Sequence, residues 1–471
     1  MILQNFGRNV RFAPAHFFTP SDPDAVLACL ERYRGAGIRA VGSLHSWSDV
    51  AACTDVVLDM RRFDTIRIQV GGDGAVNAEI GAGCLIDDAL EYLHSHGGYT
   101  LPAYGIVGRQ TIAGAISTAT HGSGRASLSH YVGAVSVAGY DRTGRPQILR
   151  WDDGPALRAA RCGLGCAGIL LSVQVRIEPD YLIEERTRWF ERIEEILAYE
   201  SEYPRQQFYL VPWSWKWYAQ LRRSLTAGAG VVPGASARWH RLIRRVGADV
   251  ALNGAVRMLA GGLRWPAGIR GFNRRVFPLV ARSGLHVVDH SSQLLRMRHD
   301  LYRHIEMELF VPARHLRHAA AFVEWTLRWC GGESPRLPAA LANDDFGRDV
   351  EAEVRALQGC HVQDYLVTFR RVLRDDTLIS MTSGETADAW YALSLVSYRC
   401  RSSPFSRMAR FLAASMAAAF QARPHWGKLC PLDTAELAAL YPSLPAFRAQ
   451  SALIDPDQAF VNDFARRALG F

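Results

Sequence analysis

Three short segments concentrate the residue types that chemistry needs. They are 41–49 (Val-Gly-Ser-Leu-His-Ser-Trp-Ser-Asp), 110–124 (Gln-Thr-Ile-Ala-Gly-Ala-Ile-Ser-Thr-Ala-Thr-His-Gly-Ser-Gly) and 423–428 (Arg-Pro-His-Trp-Gly-Lys). The first two are small-residue turns of the kind that lets backbone N–H groups approach phosphate oxygens. In the second, Gly114, Gly122 and Gly124 stand with Ser117, Thr118, Thr120 and Ser123 inside fifteen residues. Backbone donors there can cradle a pyrophosphate, and the hydroxyls can add hydrogen bonds. His45 sits among small and hydroxyl residues in the first turn, where a core residue, a base and a cofactor anchor are all open readings. The third segment is a rigid turn that ends in a cation, Lys428, and its rigidity argues against a generic solvated loop. Neither the Gly-x-Gly-x-x-Gly spacing after a first strand nor a P-loop lysine is present, so nicotinamide binding finds little support.

The elements that must position these segments are legible by pattern. Residues 21–24 offer N-cap side chains for a helix over 25–34, and 37–41 is a strand running into the first turn. Strands are expected at 56–60, 66–70 and 169–177, with a helix over 85–96 ended by Gly97 and Gly98. The first ~180 residues therefore read as an α+β unit. Further on, 305–311 and 365–372 look like sheet strands, and 314–330 and 405–421 like helices, most simply a sheet with helices on one face. Residues 225–285 are poorly patterned and are read as a mobile or helical insertion. Trp213, Trp215 and Trp217 alternate, which on one strand would give them a common face, either as core packing or as the lining of a substrate or membrane contact.

The 471 residues suit two or three domains, and no apolar run reaches the ~18 residues of a membrane span. The start lacks a charged region followed by an apolar one, so a secretory signal is not expected. Nine cysteines without a Cys-x-x-Cys pair read as reduced thiols of a cytoplasmic protein, with no metal site. The net charge is +8, and thirteen Lys or Arg against one acid, Asp249, fall between Lys216 and Arg282. Such a stretch is a solvated basic face or faces an anionic substrate or a membrane surface as a peripheral contact. No nucleic-acid motif accompanies it, so no nucleic-acid partner is expected.

Taken in order, these motifs resemble the vanillyl-alcohol-oxidase-type flavoproteins, and within them the sugar-1,4-lactone and alditol oxidases. The likeness also takes in Asn-Phe-Gly-Arg-Asn-Val at 5–10, Gly-Leu-Gly-Cys-Ala-Gly at 163–168 and Leu-Ile-Asp-Pro-Asp-Gln-Ala-Phe-Val-Asn at 453–462. It implies a two-domain FAD-binding fold of the PCMH type, with a substrate-binding cap of sheet plus helices. The FAD-binding domain would span 1–180, the cap 181–424 with the basic insertion at about 225–285, and 425–471 would return to the flavin site. The implied cofactor-binding residues are Gly42, Ser43, His45, Ser46, Thr111, Gly114, Ser117, Thr120, His121, Gly122, Gly124 and Ile169. His45 stands where the family often bonds the flavin covalently, although the family's usual preceding glycine is Leu44 here. Tyr-Gly-Ile-Val-Gly at 104–108 supplies no second, cysteinyl link.

The resemblance also makes Lys428, Arg370 and His425 the implied catalytic residues, with Thr368, Arg370 and Lys428 at the substrate. Thr368 replaces a family glutamate, and a threonine cannot act as a base near neutral pH. Glu306 and Glu308, on what is taken as the neighbouring strand, are assigned to structure. The implied activity is an oxidase that takes a CH–OH group of a sugar lactone, polyol or related compound. Hydride passes to flavin N5 and O2 becomes H2O2. A dehydrogenase, or a tailoring oxidase for a larger substrate, is the alternative that Thr368 favours. A non-catalytic flavin binder would not need His45, Arg370 and Lys428 together.

Overall fold

The computed structural model describes every residue except 73, 226–234, 297–302, 343 and 399–401. Local sequence sets the first elements. Asp22 caps helix Pro23–Arg32 by accepting the Ala25 N–H at 2.9 Å, and Pro23 stands in the first turn, where no N–H partner is needed. Three parallel strands, in the order His16–Phe18, Val56–Asp59, Ile38–Val41, feed the first turn. Beside them lies an antiparallel sheet ordered Pro146–Trp151, Val132–Tyr140, Ile169–Arg176, Val76–Gly81, Ile66–Val70. Helices Ile86–Ser95 and Ile112–Ser117 join its apolar core through Leu90, Leu93, Ile112 and Ile116. Thr111 caps the second of these helices, so part of the second turn is a helix start.

From residue 182 the chain builds one eight-stranded antiparallel sheet. Its order is His286–His290, Leu182–Phe190, Lys216–Leu225, Gln207–Val211, Val367–Leu373, Ala389–Tyr398, His304–Pro312, Arg423–Pro424. The period of two divides it into unlike faces. Phe208, Leu210, Trp217, Phe369, Leu393 and Met307 form the apolar face, covered by helices Leu316–Cys330 and Ser402–Phe420. The opposite face carries Gln207, Tyr209, Thr368, Arg370, Ser394, Glu306 and Glu308.

One expectation is corrected. Trp213 and Trp215 do not share a strand face with Trp217. Both lie in the turn before strand Lys216–Leu225, at φ 70° and 57°, which breaks the alternation. Trp213 is instead buried against Val256, Leu259 and Ile269. The segment after residue 234 is helical, running through Ala235–Arg244, Asn253–Val256, Pro266–Gly271 and Phe277–Val280 with π-helical turns between them. Among the described residues, eight cysteines are free thiols, and no helix is long and apolar enough to cross a membrane.

The last residues tie the sheets together. Buried Arg39 donates to the carbonyls of Phe460 (2.7 Å), Val50 (2.5 Å) and Leu164 (2.5 Å). Asn462 caps helix Asp463–Leu469 and donates to the carbonyls of Val50 (3.0 Å) and Ala52 (2.9 Å). Asn462→Ala removes a cap worth about 1 kcal/mol and leaves carbonyls short of a donor, for a total cost of about 2–3 kcal/mol. Thermal unfolding followed by calorimetry should begin several degrees lower; an unchanged unfolding profile would contradict this role.

Candidate active site

One cavity of about 610 Å3 runs from the two small-residue turns, across the polar face of the large sheet, to the helical segment beyond residue 235. The turns meet because residue 42 has no side chain: a Cβ there would stand 2.2 Å from Thr111 Oγ1. Leu44, by contrast, holds φ 54°, the left-handed region that suits glycine, and a side chain there costs about 1–2 kcal/mol. That strain explains why a glycine would be easier at this position. Its carbonyl accepts the Phe6 N–H at 2.8 Å, and the His45 ring stacks on Phe6 at 4.9 Å on the cavity wall. Ser43 Oγ is buried with no partner among the described residues. An orphaned hydroxyl beside two touching glycine-containing turns fits the pyrophosphate of FAD.

Gly42, Ser43, His45, Ser46, Thr111, Gly114, Ser117, Thr120 and His121 all line this cavity. Gly122 lines a small adjoining pocket. Gly124 lies off the wall. Its N–H donates to the Arg371 carbonyl at 2.7 Å, and a Cβ would meet the Pro204 oxygen at 2.2 Å, so it ties the turn to the large sheet. Ile169 turns into the core, and alternation puts Leu170 on the wall together with Gly168. Gly105, Ile106 and Val107 complete this end.

At the centre, two carboxylates and two cations are paired in the interior. Arg370 Nη2 donates to Glu308 Oε1 at 2.7 Å, and Lys428 Nζ bonds Glu306 Oε2. Ser394 donates to the same Glu306 at 2.5 Å. Lys428 also sits 4.2 Å from the centre of the Trp47 ring. Burial raises both carboxyls, but the neighbouring charges and hydrogen bonds outweigh it. Arg370 and His121 hold Glu308 well below the usual carboxylate range, and Lys428 and His304 do the same for Glu306. The Arg370 Nε lacks a partner among the described residues, which leaves one guanidinium donor for a ligand oxygen.

The two histidines are fixed by backbone. His121 Nδ1 lies 3.0 Å from the Gly122 carbonyl and Nε2 3.4 Å from Glu308, so each ring nitrogen faces an acceptor. His425 Nδ1 accepts the Gly427 N–H at 3.0 Å, so its proton sits on Nε2. Burial pushes His425 down to about 3, so it is neutral at physiological pH. The turn itself is clamped. His425 N–H donates to the Glu308 carbonyl (2.9 Å), Leu429 N–H to that of Glu306 (3.0 Å), and Trp47 N–H to that of Gly427 (2.8 Å).

Glu306 and Glu308 are the residues that sequence reasoning set aside. They do not neighbour Thr368 directly, because strand Ala389–Tyr398 lies between. In register, Tyr209, Thr368, Ser394 and Glu308 form one row across the sheet, so a carboxylate reaches Arg370 from two strands away. The available signal was two glutamates at alternate positions of an otherwise apolar strand.

Residues 14–141 match the FAD binding domain family, and 173–468 match the D-arabinono-1,4-lactone oxidase family. A long-chain alcohol oxidase from an uncultured marine euryarchaeote is 42% identical over 99% of this chain and 96% of its own length. An L-gulono-1,4-lactone dehydrogenase of Mycobacterium tuberculosis is 25% identical over 93% of this chain and 91% of its own. The fold is shared with a cholesterol oxidase from B. sterolicum, with a TM-score of 0.74 at 16% identity over 99% of this chain and 96% of that one. The chain thus has an α+β FAD-binding fold carrying an antiparallel-sheet substrate region, and it belongs to the D-arabinono-1,4-lactone oxidase family as a FAD-dependent oxidoreductase acting on CH–OH groups.

Proposed function

We propose that the protein is an oxidase of a lipophilic alcohol rather than of a sugar lactone. The observation that carries this reading is the group of apolar side chains on the cavity wall beyond the charged pairs. Glu306, Glu308, Arg370 and Lys428 are gathered at one end, while beyond them Leu252, Phe272, Phe277, Leu294, Leu366 and Val396 line the cavity beside Glu185 and Arg222, which pair with each other. A lactone bears hydroxyls around its ring, and each would need a polar partner. An alkyl chain with one hydroxyl matches a cavity whose outer charges, Glu185 and Arg222, already satisfy each other. Thr368 in place of a carboxylate agrees with this, as does the similarity to a long-chain alcohol oxidase.

FAD, when bound, supplies the two-electron acceptor and, through its reoxidation, the reduction of O2 to H2O2. Gly42, Ser43, Thr111, Gly114, Ser117 and Thr120 would hold its phosphates, with Ser46, His121 and Gly122 beside them. The remaining work falls to the chain's own residues. The free Arg370 donor and the Lys428 ammonium bind the substrate oxygen and hold its hydroxyl proton towards Glu308. Glu308 accepts the hydroxyl proton. A carboxylate held so low is a weak base for a free alcohol. It is competent only as the C–H bond breaks, because a protonated carbonyl is a far stronger acid than any carboxylic acid. Neutral His425, with its proton on Nε2, adds a hydrogen-bond donor without adding charge.

We also assign His45 as the covalent attachment point of the flavin, supported by its place on the cavity wall and its ring held against Phe6.

Two outcomes test this reading. Across a series of primary alcohols, kcat/KM from peroxide release should rise about fourfold per added methylene until the apolar wall is filled, at about 0.8 kcal/mol each. A flat series, with lactones oxidised faster, would overturn the substrate assignment. After acid precipitation the yellow colour should stay with the wild-type protein and pass to the supernatant in His45→Ala. Colour that stays in the variant's pellet would place the link elsewhere.

A further inference from the structure

We propose that the outer face of the helical segment 235–285 docks on a bilayer surface carrying anionic lipid, and that the cavity opens onto that surface. Fourteen large apolar side chains are exposed among the described residues, and nine of them lie between Trp239 and Val280. Leu279 is 74% exposed, Trp239 63%, Leu263 60%, Met258 56% and Trp265 53%. The inner side of the same segment is already satisfied: Val256, Leu259 and Ile269 pack on Trp213, and Phe277 on Val211 and Tyr218. A segment apolar on both faces has one face left over, and so many exposed apolar groups in so short a stretch mark an interaction surface.

Charge selects the partner. Ten arginines and one acidic residue fall between 235 and 285. Exposed Arg238, Arg257, Arg264 and Arg275 stand next to Trp239, Met258, Trp265 and Val276 in the chain. Interleaved apolar, tryptophan and cationic groups suit the headgroup boundary of an anionic bilayer, where rings and chains sink in and guanidinium groups meet phosphate. The contact is interfacial, since no described helix could span a membrane.

The position gives the face a purpose. Val276 and Val280 are 44% and 57% exposed and also line the cavity, as does exposed Arg282. The mouth therefore opens within the docking face, and a lipophilic alcohol could pass from bilayer to cavity without crossing water. This second half rests on the substrate reading above; docking itself does not.

The test floats the full-length holoprotein with vesicles of phosphatidylcholine alone, or with about one third phosphatidylglycerol. At least tenfold more protein should float with the anionic vesicles at about 0.1 M salt, and the difference should fall severalfold near 1 M. The double variant Leu263→Asp/Leu279→Asp should lose about tenfold in vesicle binding and in oxidation of a vesicle-embedded long-chain alcohol. Its oxidation of a short, water-soluble alcohol should stay within about twofold of the wild type. Wild-type protein that ignores lipid charge, or that self-associates and does not float, would overturn the docking proposal, and this comparison needs no variant. A variant that stops binding yet oxidises the embedded alcohol at the wild-type rate would overturn the entry route. Wild-type protein that oxidises a lactone faster than either alcohol would instead count against the substrate reading and leave docking standing.

Discussion

The structure around the active site depends on pairing four buried charges. Glu306, Glu308, Arg370 and Lys428 lie in an interior where an unpaired charge costs several kcal/mol, and removing one partner of such a pair costs about 3–5 kcal/mol. They come from three stretches far apart in the chain: strand His304–Pro312, strand Val367–Leu373 and the turn after Arg423–Pro424. The pairs can therefore exist only when the sheet order is complete and the C-terminal turn is seated. The backbone bonds from His425 and Leu429 to Glu308 and Glu306, and from Trp47 to Gly427, hold that seat. They also link it to the first small-residue turn, so the cofactor end and the charged end of the cavity are fixed to each other.

The same sheet separates two solvents. The face of Phe208, Trp217 and Phe369 is sealed by helices and contributes stability, while the face of Glu308, Arg370 and Thr368 bears the site. Because side chains alternate, a shift of one residue in any central strand would exchange the two sets and bury the wrong one. Precise register is thus a condition of catalysis as well as of folding. The helical segment beyond residue 235 completes the enclosure, and its Leu252, Phe272 and Phe277 extend the cavity beyond the Glu306–Lys428 and Glu308–Arg370 pairs.

Much of this was legible in the sequence, and the limits have physical causes. Caps, glycines and periodicity are local, so helix Pro23–Arg32, helix Ile86–Ser95 and the strands of the first sheets lie within a few residues of expectation. The three chemistry-bearing segments are likewise local patterns, and they converge on one cavity. Glu308 was missed because its importance lies in strand order: nothing in the sequence says that Ala389–Tyr398 comes between it and Arg370. Ile169 and Gly124 were placed at the cofactor by analogy, but strand alternation and a close backbone approach direct them elsewhere. The tryptophan triplet failed because two left-handed residues broke a period that assumed a strand.

The most direct measurement is the anaerobic rate at which saturating alcohol reduces the flavin of Glu308→Gln, with flavin content recorded alongside. The account predicts reduction at least about 100-fold slower at full flavin content, with part of the loss recovered when Thr368→Glu returns a carboxylate to the same row. Reduction at the wild-type rate in Glu308→Gln would contradict the claim that this buried carboxylate takes the substrate's proton.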